Sequence, residues 1–355
     1  MSELRTQGVS VVMPVYNGER FLEETIESVL AQTHRYFEFL ILDDGSTDGT
    51  DAIVARFKDS RIKLVRNPRN LGLTSTLNRG LSLAHFELIA RHDADDISHP
   101  ERLAKQIGFF IEHPEVVLVG TQAEIVDEQG RPQGQLFDRA QTHESIVWDL
   151  LFDNGFTHSS VMFKKSVILN ELGGYDESVT YCQDYHLWSE VARCHRVANL
   201  PDRLVSYRIH PYSRMSDTMY DAMISENQSI VKKNLEALLG RDSITQEDVE
   251  AVVGVRLAFE ARFLPRTIEI IERSILRYGS QLNKESLGWD FQETIARRYV
   301  RVAYKTWLTA PFLVFRVLWF SIWRYPVIKV CSRWFENLVS AITRHRLSQI
   351  TMRES

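Results

Sequence analysis

Leu88-Ile89-Ala90-Arg91-His92-Asp93-Ala94-Asp95-Asp96 opens as an apolar run of strand length and ends in three carboxylates within four residues. Pro100, Glu101 and Arg102 then open a helical pattern, so the acids fall where a strand gives way to a loop. In open α/β sheets that edge is where ligands bind. Three neighbouring carboxylates repel one another. A hard divalent cation is the economical way to hold them, because it takes oxygen ligands and bridges to a diphosphate. On these residues alone, a solvated acidic turn with an Asp as helix cap is the alternative.

Upstream, Val9-Ser10-Val11-Val12-Met13-Pro14-Val15 is an apolar run rich in β-branched residues and ended by Pro14, with a turn at Asn17-Gly18. From Phe21 the positions Phe21, Leu22, Ile26, Val29 and Leu30 take helical spacing. Phe37 to Leu42 is another buried strand, ending at Asp43-Asp44-Gly45-Ser46. A helix from Ala52 to Phe57, a short strand from Ile62 to Val65 and a helix from Thr74 to Ala84 lead back to the opening stretch. Strands alternating with helices predict a mostly parallel, three-layer α/β sheet. Asp43 and Asp44 then share a sheet edge with Asp93, Asp95 and Asp96. An acid after the second strand of such a unit commonly bonds a ribose or base, while Asp-Asp-Gly-Ser also suits a tight turn capping the next helix. Neither a Gly-x-Gly-x-x-Gly after the first strand nor a Gly-Lys-Ser/Thr loop is present. A dinucleotide site and a P-loop are therefore unsupported, and a metal must do for phosphate what those loops do.

Val11-Val12-Met13-Pro14-Val15-Tyr16-Asn17-Gly18, Leu42-Asp43-Asp44-Gly45-Ser46-Thr47-Asp48 and Asp93-Ala94-Asp95-Asp96 resemble, in order and spacing, the signature blocks of family 2 glycosyltransferases with the GT-A fold. The resemblance covers residues 8 to 215 and implies a nucleotide-activated sugar as substrate, most often a UDP-sugar. It implies that Pro14, Tyr16 and Asp44 line the nucleoside pocket, Asp44 accepting from the base. Asp93 and Asp95 would form an Asp-x-Asp motif, Asp93 facing the ribose or sugar and Asp95 binding Mn²⁺ or Mg²⁺ at the diphosphate. The chemistry agrees, since a divalent ion stabilises a nucleoside diphosphate leaving group without a proton. The sugar carbon becomes oxocarbenium-like, and a base must take the acceptor's proton on the opposite face.

Further along, Pro100 to Ile111 reads as a helix, Val116 to Val119 as a strand, and Ala123 to Gly130 as part of a hairpin. Lys165 to Leu172 reads as a helix stopped at Gly173-Gly174, and Leu204 to Ile209 as a last strand ending in His210. Gly173-Gly174-Tyr175-Asp176 and Gln183-Asp184-Tyr185-His186-Leu187-Trp188 again resemble the family, in which a Glu-Asp pair opens this helix and the Asp is the base of inverting members. Asp184 occupies that place. Gln183 replaces the usual Glu and removes a negative charge beside the base. Taken alone, Asp184 is a first-turn carboxylate favoured by the helix dipole, which would lower its pKa. In some relatives a histidine at the position of His210 completes the metal site and an adjacent arginine, here Arg208, meets the diphosphate. A lone histidine also has structural and surface uses. By the same resemblance His158 would lie near the acceptor. His85-Phe86 departs from the Gly-containing turn usual before the metal-loop strand, which affects loop shape more than chemistry.

The chain has 355 residues and a formal net charge of -5, which gives no global case for nucleic-acid binding. Three widely spaced cysteines, Cys182, Cys194 and Cys331, favour free thiols in a reducing compartment. Met1-Ser2-Glu3-Leu4-Arg5 lacks the apolar core of a signal peptide, so the expectation is a cytoplasmic protein. The charge is uneven: Arg297 to Arg346 holds ten basic residues against the single acid Glu336. There Trp307, Trp319, Trp323 and Trp334 are interleaved with arginines and lysines, and the uncharged runs are too short to span a bilayer. That pattern describes an interfacial helix on an anionic cytoplasmic leaflet; a helix packed on protein is the alternative.

These observations predict a GT-A domain over residues 1–215, a helical extension over 216–295 and a basic aromatic tail over 296–355. The activity expected is inverting, metal-dependent transfer from a nucleotide-sugar, a UDP-sugar by preference, to a hydroxyl of a glycan or lipid-linked acceptor. A sugar nucleotidyltransferase competes with this reading but would want a Gly-rich, Arg-containing loop after the first strand. A non-catalytic sugar-nucleotide-binding protein at the membrane also competes, and release of nucleoside diphosphate separates it from an enzyme.

Overall fold

The computed structural model describes residues 6–210, 217–253, 264–282, 291–295 and 297–299. Strands β1 (Val9–Val15) and β2 (Phe37–Asp43) are buried at every position, on both faces. Their unbroken apolar runs are what a parallel sheet covered on both sides requires. Between them lies α1 (Leu22–Leu30), whose buried Leu22, Ile26 and Val29 face the sheet core. Each contributes about 1.5–3 kcal/mol as an upper estimate. Next come α2 (Thr50–Arg56), the edge strand β3 (Ile62–Arg66), α3 (Leu73–Leu83) and β4 (Leu88–Arg91). The order β3-β2-β1-β4 is parallel throughout, with Val15 opposite Asp43 and Val12 opposite Arg91. That register brings the chain leaving β1, β2 and β4 onto one edge.

Past β4 the sheet is mixed. A two-residue strand, β5 (Ile97–Ser98), precedes α4 (Arg102–Glu112), and β6 (Val116–Val126) turns into β7 (Pro132–Phe137). Then follow α5 (His143–Leu150), β8 (Met162–Lys164), α6 (Gln183–Cys194) and β9 (Arg196–Arg208). β8 runs antiparallel between β4 and β6, while β6 and β9 form a long parallel ladder. The expected strand at Val116 and hairpin strand at Ala123 are one strand. Its buried polar residues hide it from an apolar count: Thr121 N–H donates to Ser160 Oγ at 3.1 Å, and Gln122 bonds the backbone of Arg139. Ser166–Glu171 forms a π-helix in place of the expected α-helix, and β5 and α5 are additions to the expected elements.

Contacts divide the chain into two compact units, residues 1–234 and 235–355. The sheet and most of α7 (Asp217–Leu239) belong to the first. The second contains α8 (Gln246–Val253) and α9 (Leu264–Gly279), with Val249, Ile270 and Ile271 buried. Among the described residues no helix is long and apolar enough to cross a membrane. The tail from residue 300 onward lies outside the described residues.

Candidate active site

A cavity of about 760 Å³ opens at the edge where β1 and β4 end, lined by Pro14, Tyr16, Arg20, Asp93, Asp95 and His210 among others. Pro14 is the penultimate residue of β1, and Tyr16 follows the strand, half exposed. Opposite them the loop after β4 turns its acids in different directions. Asp93 forms an ion pair with Arg91, whose guanidinium is buried beneath it. Asp95 Oδ2 lies 3.0 Å from His210 Nε2, and the His210 ring packs on Phe21 at 4.8 Å between centroids. Burial, and then the charge of Asp93, raise the Asp95 pKa against the pull of His210.

Asp96 belongs to the scaffold. It is buried, its Oδ1 accepts from the Arg208 N–H at 2.9 Å, and burial holds its pKa well above the ordinary carboxylate value. It thereby fastens the end of β9 to the acidic loop. The alternative of an acidic turn with an Asp as helix cap does not describe Asp96, because α4 begins only after Glu101.

The donors facing the cavity fit a hard divalent cation. Asp95 and His210 offer one carboxylate oxygen and one imidazole nitrogen, next to a second carboxylate at Asp93. Among the described residues no group of three or more His, Cys, Asp or Glu side chains is placed to hold a metal ion by itself. An open site of this kind suits an ion that takes its remaining oxygens from phosphates and water.

Two residues expected at the donor do not line this cavity. Arg208, expected at the diphosphate, has a fully buried side chain. Its guanidinium donates to Glu24 Oε2 at 2.6 Å, to the Asp95 carbonyl at 2.8 Å and to the Glu128 carbonyl at 2.8 Å. Arg208 therefore braces the acidic loop from within, and the arginine on the cavity wall is Arg20. Asp44, expected to read the base, does not line this cavity. Its carboxylate accepts from Asn67 Nδ2 at 2.7 Å and from the N–H groups of Leu71 and Gly72 at 2.8 and 2.9 Å. Gly45, at φ +76°, reverses the chain there, and a Cβ on it would lie 2.6 Å from the Arg69 carbonyl carbon. Asp44 thus clamps the 67–72 loop, and Asp48 is the acid from that turn that reaches the cavity.

Asp184 stands in the first turn of α6. Its Oδ1 accepts from the Tyr185 N–H at 2.7 Å and its Oδ2 from Asn154 Nδ2 at 2.8 Å. The dipole argument predicts a lowered pKa; the structure reverses it, because burial outweighs the Tyr185 N–H, Arg91 and Asn154. His158 Nδ1 lies 3.9 Å from Asp184 Oδ2 and its Nε2 meets Tyr175 Oη at 3.1 Å. Burial, then Arg91, hold its pKa well below the ordinary histidine value. Asp184 and His158 do not line the cavity. The link is Arg91, which interacts with Asp93 first and with Tyr175 and Asp184 as well. Gln183 is buried; with its amide nitrogen turned inward it reaches the carbonyls of Thr180 and Tyr181 at 3.1 and 3.2 Å. A glutamate would offer those carbonyls no donor.

Arg91 and Asn154 received no role in the sequence reading. A basic residue ending a buried strand beside acids was the available signal for Arg91. Asn154 carries none, since only the fold brings it to Asp184.

A sequence profile described as "Glycosyl transferase family 2" matches residues 10–168. An uncharacterized glycosyltransferase of Haemophilus influenzae is 32% identical over 267 residues, covering 73% of this chain and 95% of that protein. The chain belongs to glycosyl transferase family 2. It is also 36% identical over 204 residues to the amylovoran biosynthesis glycosyltransferase AmsE of Erwinia amylovora, covering 56% of this chain and 75% of AmsE. The crystal structure of S. aureus TarS 1-349 in complex with UDP-GlcNAc superposes with a TM-score of 0.53 at 17% identity, over 92% of each chain, a likeness of fold. This family 2 member is a glycosyltransferase with the GT-A fold. Both competing readings, nucleotidyltransferase and non-catalytic binder, give way to it.

Proposed function

We propose that the protein transfers a sugar with inversion from a UDP-sugar to a hydroxyl of a glycan or lipid-linked acceptor in polysaccharide biosynthesis. The observation that carries the reading is the Asp95–His210 pair on the wall of a cavity that Pro14 and Tyr16 also line. Pro14 and Tyr16 hold the nucleoside, and Asp93 faces the ribose or sugar. Asp95 and His210 would hold Mn²⁺ or Mg²⁺, which would supply Lewis-acid stabilisation of a departing diphosphate. Arg20 adds positive charge on the same wall. Asp184 takes the proton of the acceptor hydroxyl as it attacks the sugar carbon from the face opposite the diphosphate. A carboxylate whose pKa burial has raised is a better base than an ordinary aspartate. Asn154 orients Asp184 by donating to its Oδ2, and His158 stands 3.9 Å from the same oxygen. The nucleotide-sugar donor and the polysaccharide role are supported by TarS, crystallised with UDP-GlcNAc, and by AmsE, named for amylovoran biosynthesis. We further propose that residues 296–355 attach the protein to an anionic membrane surface.

Nucleoside diphosphate release from a panel of UDP-sugars, with divalent metal, tests this. Asp184→Asn is expected to lose about 10²–10⁴-fold in rate while donor binding persists. Release at the wild-type rate would remove Asp184 as the base.

A further inference from the structure

The helix that carries Asp184 begins without a cap of its own. Cys182 occupies the N-cap position of α6 and its side chain makes no capping bond. Helix starts leave backbone N–H groups unmet, and the usual remedy is a local Ser, Thr, Asp or Asn. Here the acceptor for the segment entering the helix comes from α7. Glu226 Oε1 accepts from the Thr180 N–H at 2.9 Å, and Oε2 from the Tyr181 and Cys182 N–H groups at 2.8 and 2.9 Å. One carboxylate therefore fixes all three residues that lead into Gln183-Asp184. The two helices are tied again further along: Asn234 Nδ2 donates to Ser189 Oγ at 3.0 Å, and Lys233 pairs with Glu190 at 2.8 Å. A negative charge at a helix start also complements its dipole.

We propose that Glu226 is the positioning residue for the base, so that α7 completes the active site by holding the three residues that lead into α6. This rests on Asp184 being the base. The Asp184 bonds to the Tyr185 N–H and to Asn154 exist only while the first turn of α6 is in place. A shift of about 1 Å at a reacting group can cost about 10²-fold in rate. Glu226 itself touches neither the cavity wall nor Asp184, so its removal acts on the chemical step and spares donor binding.

The test compares wild type, Glu226→Gln, Glu226→Asp and Asp184→Asn. Nucleoside diphosphate release is measured from a panel of UDP-, GDP- and dTDP-sugars with Mn²⁺, and UDP binding by calorimetry. Glu226→Gln keeps the shape but replaces one accepting oxygen with an NH₂ group, leaving an N–H unmet. Its kcat should fall by about ten- to a hundredfold, with donor KM and UDP affinity within about twofold of wild type. Glu226→Asp, which keeps the carboxylate, should recover part of the rate. If Glu226→Gln keeps the wild-type kcat while Asp184→Asn is inactive, the inference falls and the base stands. If Asp184→Asn turns over normally, both fall. A loss of UDP affinity that parallels the loss of kcat would show general loosening and also overturn the proposal.

Discussion

At Asp184 burial and hydrogen bonding pull the pKa in opposite directions, and burial prevails. The base works only when ionised. Its rate therefore falls as pH drops through that raised pKa, at a higher pH than an unperturbed aspartate would set. Burial and Arg91 hold the neighbouring His158 well below the ordinary histidine value. The acid limb of kcat against pH should show this, and Asn154→Ala, which removes a bond that lowers the pKa, should move the limb to still higher pH. A limb that stays put on that substitution would contradict the assignment. Individual residues were legible where type and place agreed. Asp93, Asp95 and His210 lie in loops just past strands of one sheet, and all three line one cavity. Asp44 and Arg208 stood at equally suggestive positions, yet their side chains turn to backbone groups of loops distant in sequence. Side-chain direction at a strand end is set by tertiary packing, which no local pattern encodes.

Among the elements, α3 shows how tightly the helical layer sits on the sheet. A Cβ on Gly80 would lie 2.7 Å from Val12 Cγ1 and closer still to Leu42 Cδ1. Helix propensity alone would reward Gly80→Ala by about 1 kcal/mol, whereas overpacking a buried contact costs about 1–3 kcal/mol. Overpacking should win, lowering the urea midpoint; an unchanged or raised midpoint would show that α3 can move away from β1 and β2. The strands β1, β2 and β4 were readable because sheets covered on both faces demand unbroken apolar runs. β5 was not, since two residues carry no period, and β6 was read short because its polar centre is satisfied by side chains far along the chain. The start of α6 was readable, but its partner Glu226 was not. A carboxylate that caps a segment more than forty residues away leaves no local mark.

For the whole molecule, charge separates the tail from the rest: ten basic residues against one acid over Arg297 to Arg346, in a chain of net charge -5. If the tail binds anionic lipid, the full chain should co-sediment with phosphatidylglycerol vesicles and dissociate as salt is raised. A chain ending at Tyr304 should stay in solution. Equal sedimentation of both would place the membrane contact elsewhere. The divalent-ion site is expected in the cavity at the sheet edge, where the opening acidic stretch meets His210. Its most direct test is a Mn²⁺ titration of nucleoside diphosphate release by wild type and Asp95→Ala. The account predicts that wild-type release saturates with metal, and that Asp95→Ala needs at least about tenfold more metal or releases nothing. Unchanged rate and unchanged metal dependence in Asp95→Ala would contradict it.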